Sequence, residues 1–230
     1  MRIDPHHSWD VTPSQARAIQ TELRDRVDRT ARVELGSMEL VAGVDASYAQ
    51  IGDDTICIAA IIVFSFPDLV PVEEVVARLF VTFPYVPGLL TFREGPAILE
   101  AAGQIKTEPD IMLFDGQGIA HPRRIGVASH MGVILNRPTI GCAKSKLTGS
   151  IGDRVQNDLA PLVDRGETIG MALHTRPRAL PLIVSTGNLI CLEDAVAVTR
   201  ACCRDGRRLP VPTRMAHELV SHERLRVFAN

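Results

Sequence analysis

The chain has 230 residues, 46% of them apolar, which is enough to build a sizeable core in one domain. Its net charge of −2 excludes a histone-like or basic-tail protein, although a local basic groove with bound cations could still hold a polyanion. The longest apolar stretch, residues 56–66, is too short to cross a bilayer, and the N-terminus carries no apolar signal region. We therefore expect a cytoplasmic protein with no membrane partner.

Cysteine usage points to a reducing compartment. The five cysteines are an odd number, and they form no Cys-x-x-Cys pair, which argues against both a disulfide framework and a zinc ribbon. Most of them have apolar neighbours, so we expect reduced core residues. The residues concerned are Cys57, Cys142, Cys191, Cys202 and Cys203.

The first half of the chain predicts one helix and then three strands. Thr12 is a favourable N-cap, Pro13 fits the first helical position, and Gln15 completes a capping box. Strand-like runs follow at residues 39–48, 55–66 and 72–83. Because only short loops connect these runs, the pattern favours antiparallel neighbours.

Helices and short strands alternate in the remainder. A helix is expected from Gly95-Pro96 to about Gly103, and further helices at residues 124–135, 192–203 and 213–224. Short strands are expected at residues 110–114, 139–143, 168–173 and 182–184. Three antiparallel strands followed by parallel crossover strands predict a mixed α/β sheet flanked by helices. No repeat or linker interrupts the pattern, so we expect one domain over residues 1–230.

Three acids lie at boundaries between predicted elements. Asp45 is on an otherwise apolar first strand, Glu94 precedes a helix, and Asp115 closes a buried strand before Gly116. Each has an ordinary structural reading, respectively a turn acceptor, a favourable charge at a helix N-terminus, and an Asp-Gly turn. Acids from three separate elements could also converge on Mg²⁺, which prefers a few carboxylates together with substrate phosphate oxygens.

Basic groups lie at similar boundaries. The segment His121-Pro122-Arg123-Arg124 leads into a helix and suits a phosphate, or it is simply a polar loop. Lys144 ends a strand, where it could orient a water or hold a phosphate, although solvated lysines are common. His130, inside a predicted helix, has the pattern of a core histidine, and His217 on the last helix says little by itself.

The segment at residues 83–90 is the most unusual in the chain. Tyr85 is one of two tyrosines and is clamped between Pro84 and the Val86-Pro87 pair, which stiffen the loop. A stiff loop that presents an aromatic ring could act as a wedge between bases. Packing of the same loop on the core is the competing interpretation.

Taken together, these segments resemble the endonuclease V family. The residues that carry the resemblance are 43–45 (Gly-Val-Asp), 84–88 (Pro-Tyr-Val-Pro-Gly), 92–94 (Phe-Arg-Glu), 115–118 (Asp-Gly-Gln-Gly), 121–130, 138–144 and 212–214. Their order and spacing cover nearly the whole chain. Cys142 stands where a small apolar residue is expected, and it fits that role.

The resemblance implies a ribonuclease-H-like fold and a set of site residues. Asp45 and Asp115 would bind the catalytic Mg²⁺, with Mn²⁺ as a substitute. The implied catalytic group also includes Glu94, Lys144 and His217. Tyr85 would be the DNA wedge. The implied base pocket and phosphate contacts are Leu90, Gly116, His121, Arg123 and Leu147.

The resemblance also implies an activity. The family hydrolyses the second phosphodiester 3′ to deoxyinosine and leaves 3′-hydroxyl and 5′-phosphate ends, which would make this chain a DNA-repair nuclease acting on deaminated bases. Backbone N–H groups in a glycine-containing loop could select hypoxanthine, which has a carbonyl where adenine has an amine. Two alternatives stay open: an endoribonuclease specific for inosine in RNA, and a non-catalytic module that binds damaged bases.

Overall fold

The computed structural model describes residues 1, 3, 6–156, 158–204 and 206–227. Helix α1 (Pro13–Leu23) begins as predicted, with Thr12 as N-cap and a complete capping box with Gln15. Two short 3-10 turns at Arg24–Arg26 and Leu35–Ser37 lead to the sheet.

The sheet has nine strands among the described residues, in the order β3-β2-β1-β4-β5-β9-β8-β7-β6. Their bounds are β1 (Leu40–Ile51), β2 (Asp54–Ser65), β3 (Pro71–Phe80), β4 (Ile111–Phe114), β5 (Thr139–Ala143), β6 (Ser150–Ile151), β7 (Leu159–Asp164), β8 (Glu167–Leu173) and β9 (Leu182–Asn188). The pairs β1–β4 and β4–β5 are parallel, and the other neighbours are antiparallel. The expected mixed sheet flanked by helices is therefore confirmed.

Helices cover both faces of the sheet. One face packs against α2 (Thr91–Gln104) and α3 (Val127–Leu135), and the other against α4 (Leu192–Ala201) and α5 (Val211–Val227). Burial on both faces explains why β2 is a continuous apolar run over residues 57–64 instead of an alternating one. The edge strand β3 does alternate, with Val75 and Ala77 buried and Arg78 exposed.

Several element bounds differ from the predictions. Helix α2 begins at Thr91, so Glu94 lies in its first turn and Pro96 lies inside the helix. Helix α3 begins at Val127 because Arg124, at φ +60°, turns the chain before it. Strand β3 ends at Phe80, and strands β6 and β7 were not predicted. A proline inside β7, Pro161, weakened the strand signal there.

Two expectations from composition can be compared with the fold. The cysteines are free; Cys57, Cys142, Cys191 and Cys202 are buried, and Cys203 is partly exposed. Within the part of the chain that the structure describes, no helix has both the length and the apolar composition that crossing a membrane requires.

Candidate active site

The candidate site begins where the central parallel strands end. Val44 of β1 lies beside Phe114 of β4, and Phe114 lies beside Gly141 of β5. The Asp115 backbone N–H donates to the Val44 carbonyl across 2.9 Å, so the parallel pairing continues to the acids. Parallel strands bring their carboxyl ends to one edge of a sheet. Asp45, Asp115 and Lys144 therefore meet at that edge.

Helix α5 adds a histidine to this edge. A side chain at Gly43 would place its Cβ 2.0 Å from the Pro212 carbonyl oxygen, so only glycine allows α5 to approach β1 this closely. The approach brings His217, just over one turn further along α5, to Asp45, with 2.7 Å between Nδ1 and Oδ2. The Ala46 backbone N–H holds the other carboxylate oxygen of Asp45 at 2.8 Å.

The side chains of Asp45, Asp115 and His217 fit a divalent cation. Each offers one ligand atom, and these atoms all lie within 4.8 Å of one another. Two carboxylates suit Mg²⁺ or Mn²⁺, and the imidazole suits Mn²⁺ as well. The sequence predicted metal ligation for the two aspartates and a supporting role for His217, whereas the geometry also makes His217 a candidate ligand.

Burial and neighbouring negative charge raise the pKa of Asp45 and of Glu94. Burial, and then the negative charge of Asp115, raises the pKa of Asp45 to about 6 against the opposing hydrogen bond from His217. Burial, and then the negative charge of Asp45, raises the pKa of Glu94 to about 8. Lys144 supplies positive charge, with its Nζ 2.5 Å from Asp115 Oδ2. A bound cation would relieve the remaining repulsion.

Glu94 lies beside the three-residue cluster but is not part of it. It is buried in the first turn of α2, and the Tyr48 hydroxyl donates to its Oε1 across 3.2 Å. The sequence predicted a third acid near the cation; the charge of Asp45 acts on Glu94, and the role of Glu94 stays a prediction.

A cleft of about 370 Å³ opens beside the acids. Asp115, Gly116 and Lys144 lie along it on the side of the sheet edge, and Tyr85 and Leu90 lie along it on the side of the loop at residues 83–90. The loop does pack on the core, since Phe83 and Leu89 are buried, but Tyr85 is 74% exposed and lies outside that packing. The other exposed apolar side chains along the cleft are Leu90 and Leu147.

Three side chains hold the wall of the cleft by donating hydrogen bonds to one backbone carbonyl, that of Gly88. The Gly88 carbonyl accepts from Gln20 Nε2 at 3.0 Å, from His121 Nε2 at 3.1 Å and from Arg123 Nη2 at 2.6 Å. Because the Arg123 backbone N–H donates to His121 Nδ1, the proton of the neutral imidazole sits on Nε2. Burial and the charge of Arg123 lower the pKa of His121 to about 4, which keeps the ring neutral.

The structure brings most of the predicted site residues together and leaves both Arg123 and Arg124 outside the lining of the cleft. Asp45, Glu94, Asp115, Lys144 and His217 meet at the sheet edge, and the cleft beside them is lined by Tyr85, Leu90, Gly116, His121 and Leu147. The Arg123 guanidinium donates through Nη2 to the Gly88 carbonyl and through Nε to Gln20 Oε1. Arg124 pairs with Asp164 and Glu167, away from the cleft. The core interpretation of His130 is confirmed by its complete burial.

Two residues that sequence reasoning missed contribute to the arrangement. Gln20 bonds the Gly88 carbonyl from α1, and Tyr48 bonds Glu94 from β1. Gln20 is a polar residue on the buried side of α1, which was a readable signal. Tyr48 continues a strand of small apolar residues, and nothing in its local sequence identifies its partner.

Comparison with known proteins gives a consistent result. A sequence model of the family described as endonuclease V matches residues 21–218 of this chain. The chain is 46% identical over 214 residues to an endonuclease V of Gloeobacter violaceus, covering 92% of this chain and 86% of that protein.

Solved structures agree in fold. The crystal structure of the Bacillus subtilis endonuclease V superposes with a TM-score of 0.93 at 32% identity and covers 100% of this chain and 98% of that one. An endonuclease V of Ciona intestinalis, in complex with DNA containing an inosine followed by a ribo-adenosine, superposes with a TM-score of 0.82 at 27% identity. That comparison covers 93% of this chain and 98% of the Ciona chain.

Proposed function

This chain belongs to the endonuclease V family, and we propose that it is a metal-dependent endonuclease that nicks DNA at the second phosphodiester 3′ to deoxyinosine. The nick would leave 3′-hydroxyl and 5′-phosphate ends and begin the repair of deaminated adenine. We infer the substrate in part from the Ciona relative, which is seen with inosine-containing DNA. The cytoplasmic location and the single domain over residues 1–230 stay predictions.

One observation carries the proposal. The ligand atoms of Asp45, Asp115 and His217 lie within 4.8 Å of one another, and Asp115 also lines the cleft beside the exposed Tyr85. This cluster can hold a cation, and it lies next to a cleft and an exposed aromatic ring. The arrangement supports phosphodiester cleavage beside a displaced base.

The side chains divide the chemistry between them. A divalent cation on Asp45 and Asp115 supplies Lewis-acid activation of the phosphodiester when bound. Lys144 carries the ammonium closest to Asp115, and it stabilises negative charge that builds on the phosphoryl oxygens in the transition state. His217 bonds Asp45 through Nδ1; where it does not ligate the cation, its Nε2 can hold or move a proton.

The cleft suits a flat base of the size of hypoxanthine. Leu90 and Leu147 offer exposed apolar surfaces, and Gly116 has no room for a side chain, since its Cβ would lie 2.5 Å from Val127 Cγ1. Because the Gly116 N–H already donates to the Phe114 carbonyl, other backbone N–H groups along the cleft would bond the carbonyl that distinguishes hypoxanthine from adenine. His121 and Arg123 hold the opposite wall by way of Gly88.

A nicking assay tests the proposal. Matched duplexes with and without one deoxyinosine are incubated with Mg²⁺, and the ends are mapped at nucleotide resolution. We expect one Mg²⁺-dependent nick, at the second phosphodiester 3′ to deoxyinosine. The duplex without deoxyinosine should not be cut. Cleavage of both duplexes alike, or cleavage that persists after chelation of the metal, would overturn the proposal.

The aspartates are tested in the same assay. Asp45→Asn and Asp115→Asn remove one charge each and keep the shape of the side chain. We expect each change to abolish nicking while leaving the fold intact, because losing a metal ligand removes roughly several kcal/mol of transition-state stabilisation. Near-normal turnover in either variant would contradict the assignment of that aspartate.

Inosine in RNA is the second candidate substrate. The DNA of the Ciona complex has a ribo-adenosine after the inosine. The sugar next to the lesion is therefore a position at which ribose and deoxyribose should be compared. Recognition of a 2′-hydroxyl separates RNA from DNA nucleases. Cleavage rates on three matched strands distinguish the two substrates. The strands are all-deoxy, all-ribo, and deoxy with one ribonucleotide 3′ to the lesion. A preference for the all-ribo strand of ten-fold or more would favour the endoribonuclease.

A non-catalytic module that binds damaged bases is the third candidate. The cluster that fits a cation argues against it, because binding alone needs no such cluster. Binding of the deoxyinosine duplex without any turnover in Mg²⁺ or Mn²⁺ would favour this alternative.

A further inference from the structure

Tyr48 contacts the buried Glu94 side chain, and the reaction proposed above gives Tyr48 no role. It follows Asp45 by three residues on β1, so its side chain points to the opposite face of the sheet, toward α2. There its hydroxyl donates to Glu94 Oε1 across 3.2 Å. Among the described residues, this is the side-chain hydrogen bond that the structure gives to the Glu94 carboxylate.

The ring of Tyr48 is held from its other side by Arg93. The Arg93 guanidinium carbon lies 5.1 Å from the centre of the Tyr48 ring, within the range of a cation–π contact. The same guanidinium donates through Nη1 to the Phe83 carbonyl across 2.6 Å. Arg93 therefore ties the Tyr48 ring to the beginning of the loop that carries Tyr85.

These contacts leave Glu94 with one defined orientation. Glu94 is buried in the first turn of α2, where the backbone alone would allow its side chain more than one rotamer. The ring of Tyr48, packed under Arg93, presents the hydroxyl at a fixed place. The carboxylate is consequently held in the orientation in which the charge of Asp45 acts on it.

We propose that Tyr48 is a positioning residue for the endonuclease reaction: its hydroxyl, held in place by Arg93, orients the Glu94 carboxylate beside the cation that Asp45 and Asp115 would bind. The inference rests on the proposed function for the identity of that reaction. It extends the function by assigning a role to a tyrosine outside the cleft and the three-residue cluster. It also makes the start of the Tyr85 loop and the acidic site share one support.

Loss of the Tyr48 hydroxyl should lower the affinity for the cation and leave the affinity for DNA unchanged. Glu94 adds negative charge near Asp45, so a misdirected carboxylate weakens the attraction for a divalent ion. Tyr48 does not line the cleft, and a variant that lacks only its hydroxyl keeps the ring against Arg93, which holds the beginning of the Tyr85 loop. Metal affinity and DNA affinity should therefore separate in a variant that lacks only the hydroxyl.

Tyr48→Phe is the test, because it removes the hydroxyl and keeps the ring under Arg93. Thr55→Val is the matched control: it removes a hydroxyl that donates to Gln50 across 2.9 Å on the same β-hairpin, near its turn. Mn²⁺ binding to the DNA-free proteins is measured by electron paramagnetic resonance. Half-saturating Mg²⁺ and the KM for deoxyinosine DNA are measured in the nicking assay, and melting temperatures are recorded alongside.

We expect Tyr48→Phe to weaken Mn²⁺ binding about three- to ten-fold, the range of one net hydrogen bond at about 1.4 kcal/mol per decade. Half-saturating Mg²⁺ should rise by the same factor, with the KM for DNA unchanged and Thr55→Val like the wild type. Equal Mn²⁺ affinity in all three proteins would overturn the inference. So would a general loss, in which melting temperature, DNA affinity and metal affinity fall together. The wild-type nicking result tests the proposed function separately, because Mn²⁺ binding is read without DNA.

Discussion

At the scale of single residues, the site is a concentration of negative charge with few compensating groups. Asp45 and Glu94 are buried; burial raises the pKa of both, followed by the negative charge of Asp115 for Asp45 and that of Asp45 for Glu94. Lys144 and His217 each contact one aspartate, Asp115 and Asp45 respectively. Such a cluster is unfavourable in an empty site and favourable around a cation, which is the usual compromise between stability and catalysis.

Lys144→Ala should lower turnover more than substrate binding. The ammonium lies 2.5 Å from Asp115 at the site, and a charge stabiliser acts mainly in the transition state. We expect single-turnover nicking to slow on the order of a hundred-fold, with DNA affinity nearly unchanged. Lys106→Ala is the matched control, since Lys106 is exposed and precedes β4 at the opposite edge of the sheet. Weaker binding with an unchanged single-turnover rate would make Lys144 a phosphate anchor instead.

At the scale of elements, the loop at residues 83–90 is held by three side chains from two parts of the chain. Gln20 of α1, His121 and Arg123 all donate to the Gly88 carbonyl. Gly88 itself has φ +79°, a conformation that a side chain would strain, and its Cβ would lie 2.7 Å from Arg123 Nη2. The result is a rigid loop that leaves the Tyr85 ring in solvent.

Tyr85→Ala should weaken lesion recognition and spare the chemistry. Stacking of an aromatic ring on a base contributes ~1–3 kcal/mol, so affinity for deoxyinosine DNA should fall roughly ten- to a hundred-fold. Affinity for undamaged DNA rests on phosphate contacts and should hardly change. Tyr85→Phe should keep most of the affinity. Binding is measured in Ca²⁺ for both duplexes, and equal losses on the two would show that Tyr85 is not a wedge.

At the scale of the whole molecule, the sheet decides which distant residues meet. Three strands end at one edge, and α5 returns from the C-terminal part of the chain to cover β1. His217 thus reaches Asp45 across 172 positions of sequence. The stability of the fold is consequently linked to the charge state of the acids at that edge.

Without a divalent cation, the protein should lose stability as the pH rises from about 4.5 to about 8, the ordinary and the folded pKa of Glu94. The pKa of Glu94 is about 8 in the fold, against an ordinary value of 4.5 in the unfolded chain. An acid with a raised pKa contributes stability that is complete below its unfolded pKa and is lost as the pH rises through its folded pKa. The contribution at stake is on the order of a few kcal/mol.

Thermal melts of the wild type and of Glu94→Gln measure this linkage. The variant has no charge to bury, so its melting temperature should fall less over the same pH range than that of the wild type. Glu100→Gln, an exposed change on the same helix, serves as the control. Excess Mg²⁺ should reduce the wild-type slope, because a ligand that binds the folded state offsets the loss. A wild-type slope that matches the Glu94→Gln slope would contradict the prediction.

The amino-acid sequence by itself determined the element types and the candidate acids. The capping box at Thr12, the short loops between β1, β2 and β3, and the acids at element ends are local signals, because turn and cap chemistry acts over a few residues. The family resemblance added which of these acids belong to one site. The hairpin between β7 and β8 was missed, although Gly166 after Arg165 is a turn signal, because Pro161 lowered the strand prediction.

Only the tertiary structure decided the partners. That His217 bonds Asp45, that Tyr48 bonds Glu94, and that Arg124 pairs with Asp164 instead of facing the cleft depend on how helices and strands pack. Packing is set by the shape of many residues at once, as at Gly43, where the missing side chain lets α5 come close. A linear sequence specifies each of those residues, but the distances between them exist only after the chain has folded.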